Sequence, residues 1–306
     1  MDLRKRKIII DTDVGDDFDD AFALALAANS PEFDILGVVT VFKDVTTRCK
    51  EARAILDAAG RPDIKVYKGS SMPIKQTEML KKPIKFDDKL WSYVDDCEKY
   101  ADDFENGEQF YIKTLENAKE PVTIITLGAM TNVGKVLKAR PDLADKIDEM
   151  VIMGGAYDYN YSEYNFLCDP EAADIVMSDA RIRKTLVGLD VTFDCHLDAK
   201  DLKRLKEYGT PLTDMLTKVL NGKNDMIYLH DPLAVYCAID KSKVTFKEDS
   251  FKVETEGEYT RGYAVRLTNW NWQMPVNTTN SEYGCAVDAE GFIKEYIKRV
   301  FPEKQN

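Results

Sequence analysis

Between residues 11 and 20 the chain places six aspartates, Asp11, Asp13, Asp16, Asp17, Asp19 and Asp20, with no Lys, Arg, His or Cys among them. Carboxylates this close repel one another unless a cation sits among them. An all-oxygen donor set suits a hard divalent ion. Capping a helix accounts for one or two of these residues, not for six. An EF-hand is excluded, because its turn glycine would fall at Asp16 and its closing glutamate at Phe22. The second concentration of chemistry lies far down the chain. His230, one of two histidines, is followed by Asp231 and Pro232 at a helix start. A histidine beside a carboxylate in that position can exchange protons near neutral pH. His196 has no comparable setting and reads as structural.

These residues need a frame. Ile8, Ile9 and Ile10 form a β-branched run read as a buried strand, and from Asp20 onward the apolar spacing is helical. A strand thus leaves the core, presents carboxylates at its C-terminal end and turns into a helix, where open α/β sheets hold their ligands. Further strands are expected at 35–41, 64–67, 122–126, 149–153 and 185–189, and helices at 46–59 and 108–118. Asp169 and Pro170 open another helix, as N-cap and first-turn residue. The alternation predicts an open, mostly parallel sheet with helices on both faces. Residues 198–220 and 232–239 read as helices, 243–254 and 258–268 as an antiparallel hairpin around Glu256 and Gly257, and 287–300 as a closing helix. Together they predict a peripheral helical and antiparallel cap near the C-terminus. Residues 68–107 read as a long irregular excursion. No linker, repeat or low-complexity segment divides residues 1–306, so one domain is expected.

A net charge of −12 over 306 residues argues against a nucleic-acid partner. No apolar run is long enough for a membrane span, and no signal peptide precedes the first strand. The six cysteines, Cys49, Cys97, Cys168, Cys195, Cys237 and Cys285, include no CxxC pair. They read as reduced thiols, and the expected location is the cytoplasm.

Motifs distributed along the chain resemble those of the inosine–uridine-type nucleoside hydrolases. They are the aspartate cluster, LGAMTNV at 127–133, MGG at 153–155, EYN at 163–165, DPEAA at 169–173, VGLDVT at 187–192 and HDPLAV at 230–235. The resemblance implies cleavage of the N-glycosidic bond of ribonucleosides and a Ca²⁺ cofactor. Its ligands would be Asp13, Asp20, the Leu127 carbonyl and Asp231. It makes Asp13 the general base, gives Asp19, Glu163 and Asn165 the ribose hydroxyls, and places His230 by the departing base. It also implies a homo-oligomer, dimer or tetramer. The chemistry agrees: carboxylates near C1′ stabilise oxocarbenium character, and water needs a base to attack at neutral pH.

The match has departures. The family's D-x-D-P-G-x-D-D loop carries Val14 for Pro here and two extra residues before Asp19. Asp16 and Asp17 therefore compete with Asp13 for the base or a ligand place. The usual Gly-Asn after the second strand is Lys43-Asp44, which makes Asp44 an expected sugar or ligand-orienting contact. Asn132 reads as a helix-start residue without a ligand. The tyrosines at 157, 159, 161 and 164 are either an exposed face or stacking partners at a pocket mouth. Two other functions are open to these residues. Asp11-x-Asp13-Val14 after three isoleucines also fits a haloacid-dehalogenase-type phosphatase with Mg²⁺ and Asp11 as nucleophile. A nucleoside- or ribose-binding protein without turnover would keep the same pocket.

Overall fold

The computed structural model describes residues 5–81, 97, 99–267 and 280–302. Six strands run parallel: β1 (Arg6–Thr12), β2 (Phe33–Thr40), β3 (Val66–Lys68), β4 (Val122–Thr126), β5 (Ile147–Met153) and β6 (Arg183–Val187). They stand in the order β3-β2-β1-β4-β5-β6. The chain builds outward from β1 to β3, then resumes on the other side of β1 with β4. The carboxyl ends of β1 and β4 thus flank the switch point at which such sheets open a ligand crevice.

Successive side chains of a strand point to opposite faces, and both faces of β1 are covered. Ile8 and Ile10 pack into one apolar cluster with Phe22, Leu24 and Ile55, while Ile9 packs into another with Ile124, Val133 and Val136. The covering helices are α1 (Asp19–Ala28), α2 (Val45–Ala58), α3 (Gly107–Glu116), α4 (Thr131–Ala139), the short α5 (Tyr164–Cys168) and α6 (Pro170–Ser178). As the sequence implies, α6 has Asp169 as its N-cap, accepting from the Ala172 amide, with Pro170 in the first turn.

The remainder departs from expectation in two places. After α7 (Leu189–Thr192) and β7 (His196–Asp198), the helix expected over 198–220 is two, α8 (Ala199–Tyr208) and α9 (Pro211–Val219). Gly209 at φ 75° ends α8 in the left-handed region, and Thr210 with Pro211 starts α9. β8 (Met226–Tyr228) then pairs antiparallel with β7, so the two short strands bracket both helices as a cap. α10 (His230–Ile239) follows.

The expected hairpin is only half present. β10 (Phe251–Val253) and β11 (Ala264–Arg266) do pair antiparallel. β9 (Val244–Asp249) instead joins the main sheet, antiparallel to β12 (Ser281–Val287), which lies parallel to β6. The sheet is therefore mostly parallel with one antiparallel edge. α11 (Ala289–Val300) closes the chain. Of the excursion expected at 68–107, residues 82–96 and 98 lie outside the described residues; before them Glu78–Lys81 form a 3-10 turn. Among the described residues no helix is long and apolar enough to cross a membrane.

Candidate active site

α1 and α10 pack against each other, and both begin at the carboxyl edge of the sheet. Asp19 and Asp20 occupy the first turn of α1, and Asp231 the first turn of α10. Helix N-termini favour negative charge, so the packing gathers three carboxylates. Asp19, Asp20 and Asp231 are buried, and each offers an oxygen within 4.8 Å of the others. The Asp231 amide donates to Asp19 Oδ2 at 3.2 Å, and the Thr12 hydroxyl donates to Asp20. Asp13 lies beside them. A Cβ on Gly128 would come within 2.7 Å of Asp13 Oδ1, so only glycine at this position leaves room for the carboxylate. Burial, and then the charges of neighbouring aspartates, push Asp13, Asp20 and Asp231 well above the usual carboxylate range. Such a cluster fits a cation bound through oxygen.

These acids line a cavity of about 580 Å³ together with the side chains of Met79, Met153, Tyr161, Tyr164, Leu189 and Phe193 and with His230. His230 Nδ1 lies 2.7 Å from the Thr192 hydroxyl, and its ring packs edge-on against Phe193 with centroids 5.4 Å apart. The four tyrosines divide. Tyr157 is buried against Phe251 and Tyr283, Tyr159 is exposed, and Tyr161 and Tyr164 reach the cavity.

Glu163 and Asn165 both line the cavity and both support its walls. The Glu163 carboxylate caps α5, taking amides from Gly155 at 3.0 Å, Asn165 at 2.9 Å and Phe166 at 3.1 Å. Asn165 Nδ2 donates to the Leu127 carbonyl at 2.8 Å and to the Met153 carbonyl at 3.2 Å. A carbonyl oxygen has two lone pairs, so the Leu127 carbonyl can serve Asn165 and a cation together.

Of four other expected or competing aspartates, Asp16 and Asp17 line the cavity and Asp44 and Asp11 do not. Asp44 is not brought to the cavity: it is exposed and caps α2, accepting from the Thr47 amide at 3.1 Å and the Thr47 hydroxyl at 2.6 Å. Asp16 lines the cavity, but its carboxylate is engaged by Arg48 and by the Tyr164 hydroxyl, each at 2.8 Å. Asp17 lines the cavity and is partly exposed, with its carboxylate taking the Phe18 amide. Asp11, the nucleophile of a phosphatase reading, is fully buried and accepts from Tyr111 and Asn132. Burial raises its carboxyl to about 7 against those two hydrogen bonds.

Asn132 is structural, as the sequence suggests. Its amide joins Asp11, the Thr40 carbonyl and the Ser70 amide, tying β1, β2 and the chain after β3. Asn132→Ala should therefore destabilise the fold by about 2–3 kcal/mol, the scale for stranding buried polar groups, as read by urea denaturation.

Arg48 is the site residue that the sequence reading lacks. It projects from α2 into the acidic loop, is fully buried, and is the cation among the causes acting on both Asp13 and Asp20. The rule that buried charges are paired would have flagged the acids as needing it, but nothing in TTRCKEAR distinguishes Arg48 from Arg53.

Comparison with known proteins agrees with this geometry. Residues 8–294 match the family described as "Inosine-uridine preferring nucleoside hydrolase". The chain is 32% identical to "Probable uridine nucleosidase 2" of Arabidopsis thaliana, covering 97% of this chain and 98% of that one. It is 30% identical to "Pyrimidine-specific ribonucleoside hydrolase RihA" of Salmonella typhi, covering 96% and 97%. The solved "Purine-Preferring Ribonucleoside Hydrolase from Gardnerella vaginalis" superposes with a TM-score of 0.79 at 28% identity, covering 96% and 98%. The motifs, the open sheet with its acid-lined switch point and these full-length matches converge: the chain belongs to the inosine-uridine preferring nucleoside hydrolase family and is a nucleoside hydrolase.

Proposed function

We propose that the protein hydrolyses ribonucleosides to free base and ribose with calcium as its cofactor and Asp13 as general base. The observation that carries this reading is the buried carboxylate cluster that shares one cavity with aromatic side chains and His230. An all-oxygen set of several carboxylates and a carbonyl favours calcium, which takes six to eight oxygens, over magnesium, which keeps its waters. Asp20 and Asp231 would hold the ion, with Asp13 and the Leu127 carbonyl completing the protein's share. When bound, the ion would supply Lewis acidity and a charge that orients water and the sugar hydroxyls.

The chain's own residues do the rest. Asp13 takes the proton of the attacking water. Asp19, Glu163 and Asn165 receive the ribose hydroxyls and fix C1′ for attack. The surrounding carboxylates favour the positive charge that grows on the sugar as the bond breaks. His230, held by Thr192, gives a proton to the departing base, whose ring lies against Tyr161, Tyr164 and Phe193.

The relatives are named for uridine, for pyrimidines and for purines, so the substrate proposed is the ribonucleoside class rather than one base. Cytoplasmic location agrees with six cysteines present as thiols. A dimer or tetramer completes the proposal.

Leaving-group chemistry tests His230. A natural base departs poorly as an anion, whereas a nitrophenolate leaves without a proton. His230→Ala should lower the inosine rate by about a hundredfold or more, the scale of a lost general acid, while a nitrophenyl riboside changes less than about threefold. Equal losses on both substrates would assign His230 to holding Asp231 or the sugar. No loss on either would send the search for the donor to the tyrosines of the 157–164 loop.

A further inference from the structure

We propose that Arg48 is a positioning residue of this site, clamping the lengthened acid loop so that Asp13 faces the cavity and Tyr164 stands at its wall. This rests on the reading of Asp13 as the general base. The two additional loop residues bring Asp16 and Asp17, and a longer loop has more conformations to lose. One guanidinium removes much of that freedom. Arg48 Nη1 donates to the Asp13 carbonyl and, at 2.9 Å, to the Val14 carbonyl, while Nη2 reaches Asp16 Oδ1 at 2.8 Å. The other oxygen of Asp16 takes the Tyr164 hydroxyl at 2.8 Å, so the clamp runs from α2 through the loop to α5. Gly15, at φ 102°, turns the loop against Glu51, one helical turn beyond Arg48.

The same side chain holds the turn after β2. Nε donates to the Phe42 carbonyl at 2.8 Å, and Phe42 and Lys43 are consecutive non-glycine residues at φ 68° and 57°. Left-handed backbone at two such residues is strained and persists only where the surroundings impose it. The Phe42 ring is buried with Met79 and Tyr164 packed around it, directly behind the cavity wall. The fork geometry of arginine, five donors in a plane, serves three carbonyls and a carboxylate at once; lysine can serve only part of that set.

The test compares Arg48→Met, Arg48→Lys and Asp16→Asn with Arg53→Met, a buried-stem arginine of the same helix paired with Asp57 away from the cavity. Steady-state kinetics on a ribonucleoside and amide hydrogen exchange of residues 13–18 are measured on each. Arg48→Met should lower kcat by at least about a hundredfold with KM changed less than about threefold, and Arg48→Lys should recover about tenfold of that loss. Asp16→Asn, which keeps an acceptor for Arg48 but offers the Tyr164 hydroxyl a donor in place of an acceptor, should lose less than about tenfold. Loop exchange should rise in the order Lys, then Met. Arg53→Met should lower the melting temperature while leaving kcat within about twofold. If Arg48→Met does not fold, the Lys and Asp16→Asn variants carry the comparison, and unchanged kcat and exchange in both would overturn the clamp. A kcat loss in Arg53→Met equal to that at Arg48 would also overturn it, assigning Arg48 to general stability. If the wild type hydrolyses no ribonucleoside, the proposed function fails by itself, and the exchange of residues 13–18 still decides the clamp.

Discussion

Asp13→Asn should lower kcat for a ribonucleoside by at least about a hundredfold, the usual scale of losing a general base, while Asp17→Asn should stay within about threefold. The ranking follows from where the loop puts each carboxylate. Asp13 is buried beside Asp20, seated against Gly128 at a place where no other residue leaves it room. Asp17 is partly exposed and turned back onto the Phe18 amide. A carboxamide in place of the Asp13 carboxylate would preserve shape while removing the proton acceptor and weakening one ligand of the proposed cation, so with calcium in excess single-turnover rates should fall with kcat. The reverse order, with Asp17→Asn crippled and Asp13→Asn active, would move the base along the loop and reassign the cation ligands with it.

Stripping the proposed divalent ion should abolish turnover and lower the melting temperature by several degrees, and calcium should restore both. A ligand that binds only the folded protein at a hundred times its dissociation constant contributes about 2.7 kcal/mol. Removing it also returns Asp13, Asp20 and Asp231 to mutual repulsion in a buried site. The measurement is differential scanning fluorimetry and activity on protein shown to be metal-free by elemental analysis, before and after adding calcium or magnesium. Unchanged melting and activity in that metal-free protein would remove the ion from the proposal. Better recovery with magnesium would change its identity but keep the site.

What could be read from the chain depended on how local the signal was. Ile8–Ile10 followed by acids, and His230-Asp231-Pro232, are each contiguous, and both mark element ends at the sheet's carboxyl edge. Arg48 carries no such signal, since its burial is dictated by a loop thirty-five residues away in sequence. Asp44 was readable in another way: an aspartate three residues before Thr47 at a helix start is an N-cap pattern, and the structure uses it so. Gly209-Thr210-Pro211 likewise states a helix stop and start, against an apolar periodicity that runs through it. β12 was hidden because SEYGCAV carries Gly284 in its interior, so its strand character comes from pairing with β6 and β9.

The packing of α1 on α10 also sets an order of events during synthesis. Asp19 meets the Asp231 amide across a separation of 212 residues, so the cation cluster cannot close until most of the chain has left the ribosome. Contacts this distant form late, after the loop-closure entropy has been overcome. Arg48 reaches Asp16 across a separation of only 32 residues. A nascent chain can therefore neutralise part of its acidic loop as soon as β2 and α2 emerge, and hold it in that form until the second half arrives. The loop's own counter-charge lies near it in sequence, while its partner in the carboxylate cluster lies far away.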